Sequence, residues 1–303
     1  MTNKSIRDLY LENFIKICQK IGNSFEYSQG SGGNVSTKIG MQEMIIKATG
    51  FELKNIDENC GFVMVNYHEI NCLIENISSK IVPEISEDDF NNFIRKSVIN
   101  IKDFQKNYRP SIEAGFHALM PYKYVIHTHS LFVNILCCSK EGEKILHDLF
   151  ADALWLKYEN PGKNLTLSIA RAIKSKKTPI IFLQNHGIIV GSDDAIEVLK
   201  IHDEINQKII EKLNLNPKYH KQTAQNTEIL LEKNKYIFPD QVVYLLQDNP
   251  LKSKAYDEMN EVFNYLISQI YQLNFEPNFI SSKNVEYIKN MESEKFRQSL
   301  KIL

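Results

Sequence analysis

The chain has 303 residues and 43% apolar side chains, enough for one large domain or for a domain with a substantial extension. Acidic and basic residues nearly cancel to a formal charge of -1 at pH 7, so the composition gives no reason to expect binding to nucleic acid or to a membrane surface. The five cysteines, an odd number without C-x-x-C spacing, argue against a disulfide framework and against a cysteine zinc site.

The first predicted element is an amphipathic helix from about Ser5 to Lys20. Charges interrupt it at helical spacing, which is unlike a signal peptide or a membrane span, so we expect a cytoplasmic protein. A Gly-rich turn follows, and then two strands in "NVSTKI" and "MQEMIIKATG", the second of which ends at Gly50. A helix, a glycine turn and paired strands are therefore predicted to open the fold.

The segment 51–109 is less regular, although "EISEDDFNNFIRKSV" predicts a helix capped by Ser86. "RPSIEAGFHALM" then predicts a turn into a helix, with Pro110 near the helix start and Ser111 as a candidate N-cap. The apolar run that contains "YVIHTHS" predicts a strand directly after this helix.

Strands and helices alternate through the following segments. "SLFVNILCC" and "KNLTLSIARAIKSK" predict helices, "ADALWLKYE" predicts a strand, and "TPIIFLQNHGIIVGS" predicts two strands before a long amphipathic helix. Short strands with hairpin-like turns favour an α/β fold of three layers, in which helices cover a central, largely antiparallel sheet. We assign no chemistry to the polar, partly helical chain beyond Asn214.

Three histidines form a candidate metal site. In an extended strand His127 and His129 project to the same side while Thr128 points away, so two neutral imidazoles could hold a metal together. His186 lies at the junction of two apolar strands beside Gly187, where the missing side chain lets a backbone or a ligand come close. Although a lone buried histidine is more often structural, three in this arrangement fit a catalytic zinc site with an open position.

Glu113 and His117 lie one helical turn apart, on the same face of the predicted helix. The simpler interpretation is a pair that stabilises the helix. Because the helix leads directly into the histidine strand, the alternative is that Glu113 sits near the metal as a ligand or a base.

The Gly-rich turn "GSGGNVS" is a poor match to nucleotide-binding loops, since it lacks G-x-G-x-x-G spacing and a Gly-Lys-Ser ending. Its glycines and small hydroxyl residues can nevertheless expose backbone N–H groups that bind an anion. "KATG" at 47–50 and Ser111 offer further donors, although each segment alone is typical of a turn.

Together these segments resemble the class II aldolase/adducin family over roughly residues 5–212. The matching segments, in the family's order, are "SGGNVS" (31–36), "KATG" (47–50), "RPSIEAGFHAL" (109–119), "VIHTHS" (125–130), "YENPGKNL" (158–165) and "NHGIIVG" (185–191). Any one of them is weak, whereas the ordered set is highly specific.

The resemblance implies which residues form the active site. Zinc would be held by His127, His129 and His186, with Glu113 as an acid/base that borders the metal. The implied phosphate pocket consists of Asn34, Thr49, Gly50 and Ser111, with Gly33 shaping the loop. If apolar neighbours such as Ile112 and Phe116 exclude water, the pKa of Glu113 should be raised.

The implied reaction is the reversible aldol cleavage of a ketose 1-phosphate to dihydroxyacetone phosphate and an aldehyde. A sugar-phosphate dehydratase or 4-epimerase could use the same zinc site, and an adducin-like interaction module would use none. The 4-epimerases typically carry aspartate where Glu113 stands, and a module has no need for all three histidines and the glutamate. The expected partner is a small sugar phosphate, with neither nucleic acid nor membrane.

The resemblance also implies a homotetramer and a domain organisation. Residues 1–212 would form the catalytic domain, with an insertion at about 51–109, and 213–303 a mostly helical extension packed on it. Ile112 stands where simpler fuculose-phosphate aldolases have a second serine, which removes one phosphate donor. We find no nucleotide-binding fingerprint and expect no fused dehydrogenase.

Overall fold

The computed structural model describes residues 5–99, 105–219, 235–245 and 254–299. Within these ranges a single sheet has seven strands: β1 Asn34–Ile39, β2 Glu43–Lys47, β3 Phe62–Asn66, β4 Tyr124–Thr128, β5 Leu154–Leu156, β6 Ile180–Leu183 and β7 Gly187–Ser192. Their spatial order is β3-β2-β1-β4-β7-β6-β5, and all neighbours are antiparallel except β5 and β6. The predicted α/β fold with a largely antiparallel sheet is confirmed.

Helices pack around this sheet. They are α1 Ile6–Gly22, α2 Tyr67–Ser78, α3 Glu87–Lys96, α4 Ala114–Leu119, α5 Leu131–Cys137, α6 Gly142–Leu149, α7 Lys163–Ser175, α8 Ala195–Leu213, α9 Pro239–Leu245, α10 Lys254–Gln272, α11 Ser282–Asn290 and α12 Glu292–Ser299. In the described part of the chain, none of them has the length and apolar character needed to cross a membrane.

The side-chain alternation along β4 divides the core between the two faces of the sheet. Ile126 packs in a cluster with Phe14 of α1, whereas Val125 packs with Phe116 of α4 and Ile169 of α7. Helices therefore cover both faces, as the predicted three layers require.

The start of α4 differs from the prediction. Ser111 is not its N-cap, because the chain stays extended there: Pro110 pairs with Ala48, and the Ser111 N–H donates to the Lys47 carbonyl at 3.3 Å. Glu113 occupies the N-cap position instead. The predicted cap of α3 is confirmed, since the Ser86 side chain accepts a hydrogen bond from the backbone N–H of Asp89.

Helices α9–α12 follow Asn214; α10 packs against α5, and α11 and α12 pack against α9. A second apolar cluster joins Leu131 and Ile135 of α5 to Val262 and Leu266 of α10. The Asn185 side chain, in the turn between β6 and β7, donates to the Ile237 carbonyl at 2.8 Å and to the Asn278 carbonyl at 2.7 Å. The turn that contains His186 is thus hydrogen-bonded to the C-terminal part of the chain. The domain limits at residues 212 and 213 stay a prediction.

Candidate active site

Three buried histidines converge at the end of β4 and the β6–β7 turn. Their ring centroids lie 4.8 to 5.1 Å apart, and the Nε2 atoms of His127 and His129 are 3.1 Å from each other. One nitrogen of each, His186 included, falls within 4.8 Å of the others. The structure therefore brings together the three residues that the sequence predicts as metal ligands.

The polar contacts made by Nδ1 of two rings leave their Nε2 atoms suited to a cation. His127 Nδ1 lies 2.9 Å from the Ile188 carbonyl oxygen, and His129 Nδ1 lies 3.0 Å from Oδ2 of Asp240. Since both partners only accept hydrogen bonds, each neutral ring carries its proton on Nδ1. Two lone pairs then face each other at 3.1 Å without a proton between them, and a divalent metal fits this arrangement.

Glu113 borders the histidine cluster. Its Oε1 lies 3.3 Å from His186 Nε2 and 3.6 Å from His127 Nε2, and no described group donates a hydrogen bond to it. The Asn34 side-chain amide donates to Oε2. Asn34 reaches this position because β1 and β4 pair it directly with His127.

The expected rise in the pKa of Glu113 is wrong. Burial does favour the protonated acid, but His127, and then His186 and His129, hold the pKa of the Glu113 carboxyl below its ordinary value. Burial also lowers the pKa of His127 well below that of a free imidazole. Polar contacts to Glu113 therefore outweigh the apolar surroundings that the sequence suggests.

Two glycines allow the chain to approach the histidine strand closely. A Cβ at Gly187, where φ is +151°, would lie 2.1 Å from the Thr128 carbonyl oxygen. A Cβ at Gly33, where φ is +76°, would lie 3.0 Å from the His127 carbonyl oxygen. Both positions require a residue without a side chain, which agrees with the close approach predicted for Gly187.

A cleft of about 490 Å³, its open mouth included, adjoins Glu113 and His186. All of the predicted phosphate-binding residues line it, namely Gly33, Asn34, Thr49, Gly50 and Ser111. Their hydroxyls differ in availability: Thr49 Oγ1 donates to the Pro110 carbonyl at 3.0 Å, whereas Ser111 Oγ accepts from the Glu113 N–H at 3.2 Å and donates to no described group.

The cleft also contains a lysine that the sequence analysis did not select. Lys47 is buried, and its Nζ donates to the carbonyls of Ser31 at 2.6 Å and Phe51 at 2.9 Å. Burial lowers the pKa of Lys47 to about 8. The residue lies within the quoted "KATG" segment, but alternation along β2 alone does not reveal that its amine ends in a cleft.

Residues beyond Asn214, to which the sequence assigns no chemistry, reach the same cleft. Asp240, Glu294 and Arg297 line the cleft. Arg297 Nη2 lies 2.6 Å from Asp240 Oδ1, and Arg297 Nε lies 2.8 Å from Glu294 Oε2. Burial opposes the charge of Asp240, but Arg297 and then His129 hold the pKa of its carboxyl well below the usual range.

The model of the Class II Aldolase and Adducin N-terminal domain matches residues 12–207. The chain belongs to the class II aldolase/adducin family. Among curated relatives, the "Uncharacterized oxidoreductase YuxG" of Bacillus subtilis (strain 168) is 23% identical over 218 residues, which cover 67% of this chain and 30% of that protein. The chain thus spans less than a third of the length of this relative.

Solved structures include members of the same family. The N-terminal class II aldolase domain of a conserved protein from Thermoplasma acidophilum is 21% identical and matches 67% of this chain and 93% of that chain, with a TM-score of 0.58. YgbL from Klebsiella pneumoniae, described as a putative aldolase/epimerase/decarboxylase, is 18% identical over 73% of this chain and 96% of its own, with a TM-score of 0.49. The first likeness shows the class II aldolase fold.

Proposed function

We propose that the protein catalyses the zinc-dependent, reversible aldol cleavage of a ketose 1-phosphate to dihydroxyacetone phosphate and an aldehyde. The main support for this proposal is the pair of Nε2 atoms of His127 and His129, which face each other at 3.1 Å beside the carboxylate of Glu113. Membership of the class II aldolase/adducin family supports an enzyme of this type. We also propose a homotetramer and a cytoplasmic location, on the family resemblance alone.

Zinc held by His127, His129 and His186 would supply a Lewis acid for the negative charge that develops beside the C2 carbonyl. Breaking the C3–C4 bond turns the C4 hydroxyl into the aldehyde carbonyl, which releases its proton, and leaves an electron pair at C3. That carbon takes up one proton through Glu113, and the proton released at the C4 oxygen balances it. In the direction of synthesis the Glu113 carboxylate removes the same proton. The amide of Asn34 fixes Oε2 of this carboxylate and so holds Glu113 between the histidines and the cleft.

The phosphate would bind in the cleft among Gly33, Asn34, Thr49, Gly50 and Ser111. The Thr49 hydroxyl already donates to Pro110 and one N–H of the Asn34 amide to Glu113, whereas the Ser111 hydroxyl donates to no described group and is available to the phosphate. The nearby ammonium group of Lys47 would offset part of the phosphate charge.

The half-reaction with dihydroxyacetone phosphate tests the proposal without knowledge of the aldehyde. We expect the zinc-loaded protein in D₂O to exchange one C3 proton of dihydroxyacetone phosphate for deuterium, followed by NMR. Glu113→Gln should bind zinc normally and lose the exchange, because the amide cannot accept the proton. This variant also controls for contaminating isomerase.

A Glu113→Gln protein that exchanges as fast as the wild type would remove Glu113 from the mechanism. If the zinc-loaded wild type shows no exchange, aldol cleavage to dihydroxyacetone phosphate is rejected. Incubation with candidate ketose 1-phosphates then separates the alternatives, since a dehydratase releases water without an aldehyde and a 4-epimerase returns an isomer.

A further inference from the structure

We infer that Asp240, which lies outside the matched family domain, is a positioning residue that sets the tautomer of His129 for metal binding. Its Oδ2 lies 3.0 Å from His129 Nδ1. Asp240 is the second residue of α9, in a part of the chain where the sequence shows no metal-binding pattern. The inference rests on the proposed function, because it concerns the same metal site.

The two oxygens of Asp240 have different partners, and this division fixes the carboxylate. Oδ1 lies 2.6 Å from Nη2 of Arg297 in α12, while Oδ2 faces His129. The Asp240 side chain is only 3% exposed, so water does not compete for these oxygens. Arg297 is held in turn by Glu294 at 2.8 Å. The C-terminal helices therefore present a fixed, negatively charged acceptor to the imidazole.

The Gly-rich turn of the family domain leaves the space that this contact needs. A Cβ at Gly32 would lie 2.6 Å from Asp240 Oδ2 and 3.0 Å from His129 Nδ1. Any side chain at this position would push between the two groups or displace one of them. The glycine thus links the "SGG" turn to a residue from the far end of the chain.

The chemical consequence follows from the carboxylate oxygen that lies 3.0 Å from Nδ1 of His129. Because the Asp240 carboxylate only accepts, it keeps the proton of neutral His129 on Nδ1 and the lone pair on Nε2. That lone pair is the one that faces His127 Nε2. The negative charge also makes the imidazole a stronger metal ligand, and loss of such a contact typically weakens metal binding by about 10- to 100-fold.

Asp240→Asn is the informative variant. Arg297 can only donate, so the amide oxygen will turn to Arg297 and the amide NH₂ to His129. This arrangement requires His129 Nδ1 to accept a hydrogen bond and moves the ring proton to Nε2, where it blocks metal binding. Arg297→Gln is the matched control, because it removes the charge that holds α12 but retains Asp240 opposite His129.

The test uses the full chain and two readouts besides catalysis. In metal-free protein with ¹⁵N-labelled histidines, NMR should show His129 protonated at Nδ1 in the wild type and in Arg297→Gln, and at Nε2 in Asp240→Asn. His129→Gln identifies the resonance. Zinc affinity, measured by competition with a coloured chelator, should fall by about 10- to 100-fold in Asp240→Asn and clearly less in Arg297→Gln, whose amide can still donate to Asp240 Oδ1.

Two results would overturn the inference. One is an Asp240→Asn protein with the wild-type tautomer or wild-type zinc affinity. The other is an equal loss of zinc affinity in Arg297→Gln, which would reduce Asp240 to an anchor for α12. If Asp240→Asn does not fold, Asp240→Ala should lower the affinity similarly without presenting an amide. Failure of the proposed function is distinguished by a wild type that binds zinc but exchanges no proton of dihydroxyacetone phosphate.

Discussion

Neighbouring residues of one strand serve different purposes because their side chains leave opposite faces of the sheet. His127 joins the metal-site cluster, whereas Thr128 Oγ1 lies 2.8 Å from Nε2 of the buried His202 on α8. Glu113 and His117, which are predicted to lie on the same helix face, also have different partners. His117 Nδ1 lies 2.8 Å from Ser36 Oγ, while Glu113 turns to Asn34 and the histidines, so the helix-stabilising interpretation does not account for either residue.

His117 should make the protein sensitive to acid. Burial lowers its pKa to about 3 from an ordinary value of 6.5. The unfolded chain therefore takes up a proton near pH 6.5 while the native state does not, so the free energy of unfolding falls as the pH drops through this interval. At roughly 1.4 kcal/mol per pKa unit, the loss from this residue reaches about 3 kcal/mol near pH 4.

The matched variant is His117→Gln, which retains a polar group near Ser36 and cannot titrate. Urea unfolding of both proteins between about pH 7 and pH 4 should show a shallower decline in the variant. Parallel declines would contradict the assigned pKa of His117.

Ser111 should matter for substrate binding more than Thr49, although both line the cleft. Ser111→Ala removes a hydroxyl proton that is free to reach the phosphate, and hydrogen bonds to charged groups contribute enough to raise KM by about tenfold or more. Thr49→Val removes a hydroxyl that already donates to Pro110. Steady-state kinetics with a cleaved ketose 1-phosphate will compare them, and a larger rise in KM for Thr49→Val would reject the assignment.

At the scale of elements, the turn between β6 and β7 connects the site to the C-terminal helices. Asn185 adopts a left-handed conformation, with φ of +54°, and its amide donates to two carbonyls of the C-terminal part of the chain. The next residue in this turn is His186. The same short segment therefore positions a metal-site histidine and is hydrogen-bonded to the C-terminal part of the chain.

Two substitutions separate the conformation of Asn185 from its hydrogen bonds. Asn185→Gly keeps the left-handed backbone and should lose about 2 kcal/mol from the two hydrogen bonds. Asn185→Ala should lose roughly 1 to 2 kcal/mol more, because a Cβ strains this conformation. Chemical denaturation measures both values, and equal stability of the two variants would show that the conformation is not strained.

Most elements could be predicted because each displays its own periodicity or cap. The strands "NVSTKI" and "TPIIFLQNHGIIVGS" and the helix capped by Ser86 are local patterns. β3 was not predicted, because "FVMVN" is a continuous apolar run inside a segment without clear alternation. The position of Ser111 depended on pairing between Pro110 and Ala48, which no local pattern shows.

At the scale of the molecule, the histidines and Glu113 could be predicted together because all four lie in ordered segments of one family domain. Asp240 and Arg297 could not, since their positions depend on how α9 and α12 fold back over the cleft. Residues from both ends of the described chain therefore form the candidate site. Its stability depends on the second apolar cluster, in which α5 packs against α10.

This packing predicts one cooperative unfolding transition. Trp155, the single tryptophan, lies in β5 and reports on the sheet, whereas circular dichroism reports largely on the helices, including α10. Helix α5 contributes to the second apolar cluster and follows the histidine strand directly, so the sheet and the C-terminal helices should unfold together. Urea unfolding curves followed by fluorescence and by circular dichroism should therefore coincide. Two separate midpoints would show that the C-terminal helices unfold independently.

The central claim is that His127, His129 and His186 form a zinc site, and zinc content tests it most directly. After equilibration with zinc and removal of the excess, the wild type should retain about one equivalent per chain and Glu113→Gln the same, while His129→Ala should retain well below that. A wild-type chain that takes up no zinc, or a His129→Ala protein that holds it as tightly as the wild type, would contradict the account.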